Sequence, residues 1–273
     1  MSQLLPAHRS QQLLTFSKRH SKNSFTSRCS LSRIFLGQNI ISIFILFFVL
    51  FVNTLSTKAE VQQAFAQKDN QEEFVLFIVD FSNSMTERLN GTKKINMVLD
   101  TMQELLPQIS KNQRVGLRVY GHKGNGFLPT AACRASSLIV PMTRNSTSEI
   151  QSALFSLKPT GWTPITYSLK QAINIDFAGV DGKKRIILLS DGGENCDESP
   201  CDYIMEITKH RQDITIDVIA FNIYDQEANN QLKCTALVTS GKFYSANTAA
   251  ELLQSLQNSL NVQKEVQGVI ISQ

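Results

Sequence analysis

Five oxygen-bearing side chains in the central and later parts of the chain have the types and order needed to hold a divalent metal ion. They are Asp80, Ser82, Ser84, Thr163 and Asp191. Each aspartate comes directly after an apolar run that predicts a buried strand, and the two serines follow Asp80 on a tight turn. Ligands of open α/β sheets bind at the carboxyl ends of the strands, so we expect these side chains to converge. Such an all-oxygen site suits Mg²⁺, and Mn²⁺ accepts the same ligands.

The elements that must position these side chains alternate between strands and helices. Strands are predicted at 74–80, 114–120, 136–142, 184–190, 215–221 and 241–245. The most apolar runs are typical of strands buried on both faces, whereas Pro141 places its short strand at the edge of the sheet. Apolar residues with helical spacing follow most of the strands, for example at 94–109. This order predicts an α/β fold with a doubly wound, mostly parallel sheet covered by helices on both faces.

Residues 72–262 resemble von Willebrand factor type A (VWA) domains. The resemblance rests on Asp80-x-Ser82-x-Ser84, Thr163 and Asp191, which match the metal-ion-dependent adhesion site (MIDAS) of that family in type and order. Within the family, the segments GWTPI and LLSDGGENC with the following SPC are similar to those of secreted or membrane-anchored bacterial members. The resemblance implies a six-stranded sheet of order 3-2-1-4-5-6, with strand 3 antiparallel at the edge.

The resemblance also implies how the metal ion is held and what it binds. Ser82, Ser84 and Thr163 would bind the ion directly. Asp80 and Asp191 would act largely through water, which leaves one coordination position open. An ion with so few anionic ligands keeps a net positive charge, so an Asp or Glu carboxylate of a partner protein would complete its shell. The expected function is therefore metal-dependent protein binding, as in adhesion, without enzymatic activity.

The alternatives to protein binding are a metal-assisted hydrolase and an ion-channel subunit. A metal-assisted hydrolase would use the same oxygen cluster. However, no general base is apparent, and neither Gly-x-Ser-x-Gly nor His-Glu-x-x-His occurs in the chain. An ion-channel subunit would need more than one marginal hydrophobic segment to form a selective pore. Glu194 and Asp197 are near enough to shape the rim of the site, but loop acids are more often simply solvated.

The residues that precede the predicted domain indicate export. Residues 1–33 carry six Lys/Arg and no Asp/Glu, and residues 34–55 are uncharged, with 16 apolar residues out of 22. This pattern predicts a signal peptide or a single-pass anchor with a cytoplasmic N-terminus, so that the domain lies outside the cytoplasm. Ala64-Phe65-Ala66 is a small-x-small pattern that would allow cleavage near Ala66. Residues 56–71 are interpreted as a linker and 263–273 as a C-terminal tail.

The charge of the chain gives no reason to expect nucleic-acid binding. The formal net charge is +4, but from residue 67 onward there are 20 Lys/Arg against 22 Asp/Glu. The basic character therefore belongs to the leading segment, and the predicted domain has no excess of basic residues to form a nucleic-acid-binding face.

Four of the five cysteines lie in the predicted domain and favour two disulfides in an oxidising compartment. Cys196 and Cys201 flank a short loop in which Pro200 favours a turn, so we expect Cys196–Cys201 and, by elimination, Cys133–Cys234. Zinc binding and thiol redox catalysis would need a second close Cys pair, a spaced His pair or Cys-x-x-Cys, and none of these is present. Free thiols are the remaining alternative.

Overall fold

The computed structural model describes residues 72–123 and 129–262, all within Ala66–Gln273, the second of two units into which the chain divides. The strands are β1 (Glu73–Asp80), β2 (Arg88–Leu89), β3 (Thr92–Lys93), β4 (Arg114–Tyr120), β5 (Ser136–Thr143), β6 (Lys183–Ser190), β7 (Ile214–Phe221) and β8 (Phe243–Ala246). The helices are α1 (Lys94–Leu105), α2 (Pro129–Ala132), α3 (Thr147–Ser156), α4 (Ile165–Gln171), α5 (Pro200–Ile207), α6 (Gln226–Leu237) and α7 (Ala249–Leu260).

Six of the strands form one sheet in the order β5-β4-β1-β6-β7-β8. All neighbours are parallel except β5, which runs antiparallel to β4 at the edge. The predicted order 3-2-1-4-5-6 with an antiparallel edge strand is therefore confirmed. Because β1 lies between β4 and β6, the order of the strands reverses beside β1. A crevice opens at such a point at the carboxyl ends of the strands.

The central strands are apolar throughout because both faces of the sheet are covered by helices. On β1, Val75, Phe77 and Val79 pack into one core with α1, α3 and α7. The alternate residues Leu76 and Ile78 pack into a second core with α4, α5 and α6. All five of these side chains are at most 1% exposed. A shift of β1 by one residue would move each of its side chains from one core into the other. The register of β1 is therefore fixed, and so is the position of the site at its carboxyl end.

The described residues contain two disulfides, but the pairing predicted from the sequence is wrong. Cys133 is joined to Cys196, and Cys201 is joined to Cys234, each with a Cα–Cα distance of 5.5 Å. The expected bonds Cys196–Cys201 and Cys133–Cys234 do not form, because Pro200 begins α5 instead of closing a turn. Cys201 therefore lies in the first turn of α5, where it bonds to Cys234 on α6. Cys196 remains in the loop after β6 and bonds to the residue that follows α2.

The leading segments 1–33, 34–55 and 56–71, the cleavage pattern at Ala66 and the tail 263–273 lie outside the described residues. Within 72–123 and 129–262, none of the helices has the length and apolar character required to cross a membrane.

Candidate metal centre

Two turns and one loop meet at the carboxyl ends of β1 and β6. After β1, residues Asn83–Thr86 form a short 3₁₀ turn, which Met85 anchors by burying its side chain completely. After β6, the chain continues through Asp191 into an irregular segment that ends at α5. The loop before α4 is paired with the first turn through a parallel bridge between Ser82 and Gly161.

Close backbone approach at this edge depends on two glycines. Gly121, which follows β4, has a φ of +71°, and a Cβ there would lie 2.5 Å from the Ser82 amide nitrogen. Its carbonyl oxygen accepts hydrogen bonds from Thr160 N at 3.0 Å and Gly161 N at 2.8 Å. A Cβ on Gly161 would lie 2.7 Å from the Lys123 carbonyl oxygen. Only glycine fits at these points, so the turn after β1, the segment after β4 and the loop before α4 are packed backbone to backbone.

Asp80 is completely buried, and both of its carboxylate oxygens accept hydrogen bonds. Oδ1 accepts from Ser82 N at 2.6 Å, and Oδ2 accepts from Ser190 Oγ at 2.7 Å. Tyr120 donates its hydroxyl to Ser190 Oγ at 2.9 Å, so a second layer of hydroxyls fixes the orientation of the carboxylate.

The two serines of the motif join Asp80's turn to Asp191. Ser82 Oγ and Ser84 Oγ are 2.9 Å apart, and Ser84 Oγ donates to Asp191 Oδ1 at 2.6 Å. The second oxygen of Asp191, Oδ2, accepts a hydrogen bond from Lys94 Nζ at 3.0 Å. The Lys94 ammonium group also contacts Glu87 Oε2 at 2.9 Å. The four predicted site residues on the β1 and β6 turns are thus brought together, with a lysine beside them.

Thr163 reaches the same edge through its loop. Its side chain is buried, and its backbone N–H donates to Asn195 Oδ1 at 2.7 Å. Among hydrogen bonds between described residues, none joins the Thr163 hydroxyl to the other four predicted ligands.

The two carboxylate oxygens of Glu194 accept hydrogen bonds from Thr166 N at 2.7 Å and Cys196 N at 3.0 Å. Glu194 therefore links the first turn of α4 to the segment after β6 and is not a solvated loop acid.

The surroundings of Asp80 and Asp191 disfavour the ionised forms of these two carboxyl groups. Burial, followed by the nearby charge of Asp191, raises the pKa of Asp80 to about 6. Burial also raises the pKa of Asp191, although hydrogen bonds from Ser84 and Lys94 oppose the shift. Burial alone would lower the pKa of Lys94, but its contacts with Glu87 and Asp191 outweigh that effect and raise it. Lys94 is therefore a cation, and a bound metal ion would further stabilise both carboxylates.

The arrangement fits a small divalent cation. Neighbouring oxygens around an octahedral ion with bonds of about 2.1 Å lie about 3.0 Å apart. The two serine hydroxyls are 2.9 Å apart, which is an ordinary hydrogen-bond distance and is also compatible with this spacing. Among the described residues, no cluster of three or more His, Cys, Asp or Glu side chains is placed to hold a metal. A metal here would therefore depend on hydroxyl ligands as well as carboxylates.

Sequence reasoning missed the three residues whose side chains hydrogen-bond directly to the proposed ligands from outside the motif. They are Lys94, Ser190 and Asn195. Ser190 could have been found from its position at the end of a buried strand, because its side chain must face one of the two layers. Lys94 and Asn195 carry no such signal, since a lysine after another lysine and an asparagine in a loop are ordinarily solvated.

The chain belongs to the von Willebrand factor type A domain family, whose family model matches residues 75–259. It is 30% identical over 204 residues to the uncharacterised protein YwmD of Bacillus subtilis (strain 168), covering 74% of this chain and 91% of YwmD. It is 28% identical over 181 residues to the uncharacterised protein YwmC of the same strain, covering 65% of this chain and 78% of YwmC.

Solved structures share the fold at low sequence identity. A von Willebrand factor type A protein from Catenulispora acidiphila has a TM-score of 0.55 and 18% identity, covering 70% of this chain and 42% of that chain. Proximal thread matrix protein 1 of the mussel byssus, with a zinc-occupied MIDAS motif, has a TM-score of 0.54 and 17% identity, covering 70% and 45%. The vWF domain of the type V pili tip protein Mfa5 from Porphyromonas gingivalis has a TM-score of 0.51 and 16% identity, covering 71% of this chain and 97% of that domain. The present chain thus spans less than half of the first two proteins.

Proposed function

We propose that this protein is a metal-dependent protein-binding module that acts outside the cytoplasm and is not an enzyme. Asp80, Ser82, Ser84, Thr163 and Asp191 hold one divalent cation as an intact MIDAS. An Asp or Glu side chain of a partner protein completes the coordination shell of that cation.

One observation carries the proposal: two buried carboxylates and two hydroxyls form a connected cluster at the point where the strand order reverses. The Ser82–Ser84 and Ser84–Asp191 contacts span only 2.9 and 2.6 Å, so the oxygens are already assembled for one small ion. Burial raises the pKa values of Asp80 and Asp191, so a cation bound beside them would stabilise their ionised forms.

The chemical nature of the cluster sets the choice of metal and partner. All of the donors are hard oxygens, so we expect Mg²⁺ or Mn²⁺ in the cell, although the mussel protein of the same fold holds zinc at its MIDAS motif. Two ligand carboxylates at most neutralise a divalent cation. An acidic group is therefore the partner side chain that the remaining coordination position favours.

The proposed location is supported by the two disulfides and by the relatives of the fold. The domain contains the disulfides Cys133–Cys196 and Cys201–Cys234. Disulfides in general persist in oxidising compartments and are rare in the cytosol. A pilus tip protein has this fold, which agrees with adhesion outside the cell. Residues 34–55 would then serve as the membrane anchor or as part of a signal peptide cleaved near Ala66.

The first experiment tests the metal. The full-length chain, purified in mild detergent and stripped with chelator, should bind one Mg²⁺ or Mn²⁺ per molecule by titration calorimetry. The double variant Asp80→Ala, Ser82→Ala should lose this binding, because it removes one carboxylate and one hydroxyl of the cluster. Bound metal should also raise the melting temperature of the wild-type chain, since it binds only the folded form.

A matched variant and a partner assay complete the test. Asp100→Ala with Ser110→Ala removes the same two groups from exposed positions and should bind metal like the wild type. Pull-downs from the envelope of the source cell should capture a partner with Mg²⁺ and release it with chelator. Equal metal affinity in the wild type and the Asp80, Ser82 variant would overturn the assignment of the site.

A further inference from the structure

Lys94 brings a positive charge into the proposed metal centre. It is the first residue of α1, and its side chain is only 7% exposed. Its ammonium group lies 3.0 Å from Asp191 Oδ2, on the opposite oxygen from the one that Ser84 contacts. The other partner of Lys94 is Glu87, whose side chain is 64% exposed and therefore largely screened by water.

The position of Lys94 changes the charge that a metal ion and a partner would meet. Asp80, Asp191 and Lys94 together carry a charge of −1 when ionised, and a divalent cation brings the site to +1. Without the lysine, the same ion would leave the site neutral. A buried charge acts strongly on its neighbours because little water lies between them.

We propose that Lys94 is the residue that sets the balance between metal affinity and partner affinity at this site. Its ammonium group repels the incoming cation and so weakens metal binding. The same group keeps the loaded site positive and so strengthens the binding of a partner's carboxylate. By occupying Asp191 Oδ2, it also keeps that carboxylate turned toward α1. This inference rests on the proposed function, since it assumes that the oxygen cluster holds a metal.

The proposal predicts two opposite effects of one substitution. In the full-length chain, Lys94→Met should bind Mn²⁺ about tenfold more tightly than the wild type, because a like charge has been removed from its surroundings. Mn²⁺-loaded Lys94→Met should bind acetate about threefold more weakly, because the loaded site has lost its positive charge. Titration calorimetry measures the first effect. Paramagnetic relaxation of the acetate methyl protons by bound Mn²⁺ measures the second.

Three further variants separate charge from structure. Lys93→Met makes the same change in net charge at an exposed neighbouring position and should leave both affinities within about twofold of the wild type. Lys94→Arg keeps the charge and should also resemble the wild type. Lys94→Gln keeps a hydrogen-bond donor for Asp191 without the charge, so it should behave like Lys94→Met and provides a folded test if the methionine variant does not fold.

The outcomes distinguish this inference from the proposed function. A structural role for Lys94 predicts that its neutral variants weaken both affinities together, and this result would overturn the inference. Unchanged Mn²⁺ affinity in Lys94→Met and Lys94→Gln would also overturn it. The assignment of the metal site would still stand in that case, provided that the wild type binds Mn²⁺ and the variant Asp80→Ala, Ser82→Ala does not. If the wild-type chain and all Lys94 variants fail to bind Mn²⁺, the proposed function itself fails.

Discussion

The carboxyl group of Asp80 is buried beside a second carboxylate, and this placement should make the metal-free protein sensitive to pH. The folded state raises the pKa of Asp80 from its usual 3.8 to about 6, so between these values the folded state binds the proton more tightly than the unfolded state does. Stability should therefore fall as the pH rises through this interval and should stay low above it.

Asp80→Asn should remove this pH dependence and, with it, the ability to bind metal. In chelator, the variant should be more stable than the wild type at about pH 8, by up to about 3 kcal/mol, and the difference should shrink toward about pH 4. The asparagine can keep both hydrogen bonds, because Ser190 Oγ can instead donate to Gly192 O, which lies 2.9 Å away. With Mn²⁺ present, the order should reverse, since only the wild type gains stability from the ion.

Urea unfolding at several pH values measures this effect. Asp100→Asn, which changes an exposed carboxylate on α1, serves as the control and should run parallel to the wild type. Stability curves of wild type and Asp80→Asn that stay parallel in chelator would contradict the assigned role of the buried charge.

That Asp80, Ser82, Ser84 and Asp191, four of the five proposed ligands, lie together could be predicted from the sequence, because their spacing is local or fixed by strand ends. Lys94 could not, because Lys93 and Lys94 are indistinguishable as residue types. Only the register of the helix decides that Lys94 is buried against Asp191 while Lys93 is exposed. The predicted disulfide pairing was wrong for a similar reason. Cys196 and Cys201 are close in sequence, but the start of a helix at Pro200 separates them.

At the scale of elements, the strands were easier to predict than the ends of the helices. The strand predicted at 74–80 is observed as Glu73–Asp80. This prediction was accurate because a strand buried on both faces is an unbroken apolar run in the sequence. The helix predicted at 94–109 ends at Leu105 and continues only as a 3₁₀ turn through Gln108. Pro107 has no N–H to donate to the preceding turn, so the α-helix stops before it.

The packing of loop against loop at Gly121 should be as important to the site as its ligands. An alanine there would be strained at a φ of +71° and would press its Cβ to within 2.7 Å of the Phe81 carbonyl carbon. We expect Gly121→Ala to cost about 2–4 kcal/mol of stability. It should also weaken Mn²⁺ binding more than tenfold, because the turn that carries Ser82 must move.

Gly192→Ala is the matched control for this substitution. It lies at the same edge of the sheet, next to Asp191, but a Cβ there would have no heavy atom within 4 Å. Its effect on stability should stay within about 0.5 kcal/mol. Thermal unfolding and Mn²⁺ calorimetry of both variants provide the comparison. Normal metal binding by Gly121→Ala would show that the close approach of these backbones does not position the ligands.

At the scale of the whole molecule, the leading segment is basic and the rest of the chain is not. The six positive charges of residues 1–33 precede the uncharged segment 34–55, whereas the chain after residue 67 is slightly acidic. A Lys/Arg bias before the first apolar segment generally retains that end in the cytoplasm. Two disulfides in the domain independently favour an oxidising space, so both features give the same orientation.

We therefore predict that the domain lies outside the cytoplasm, whether or not the leader is cleaved. If residues 34–55 are retained as a helix, their 22 residues would span about 33 Å, enough to cross a hydrocarbon core of about 30 Å. Protease added to intact cells should digest an epitope placed after Gln273, while an epitope placed before Met1 should stay protected until the membrane is permeabilised. Protection of the C-terminal epitope in intact cells would reverse the orientation. A domain in the cytoplasm would lack the oxidising environment that the two disulfides require. In that case, thiol labelling of the same cells should find all four cysteines of the domain reduced.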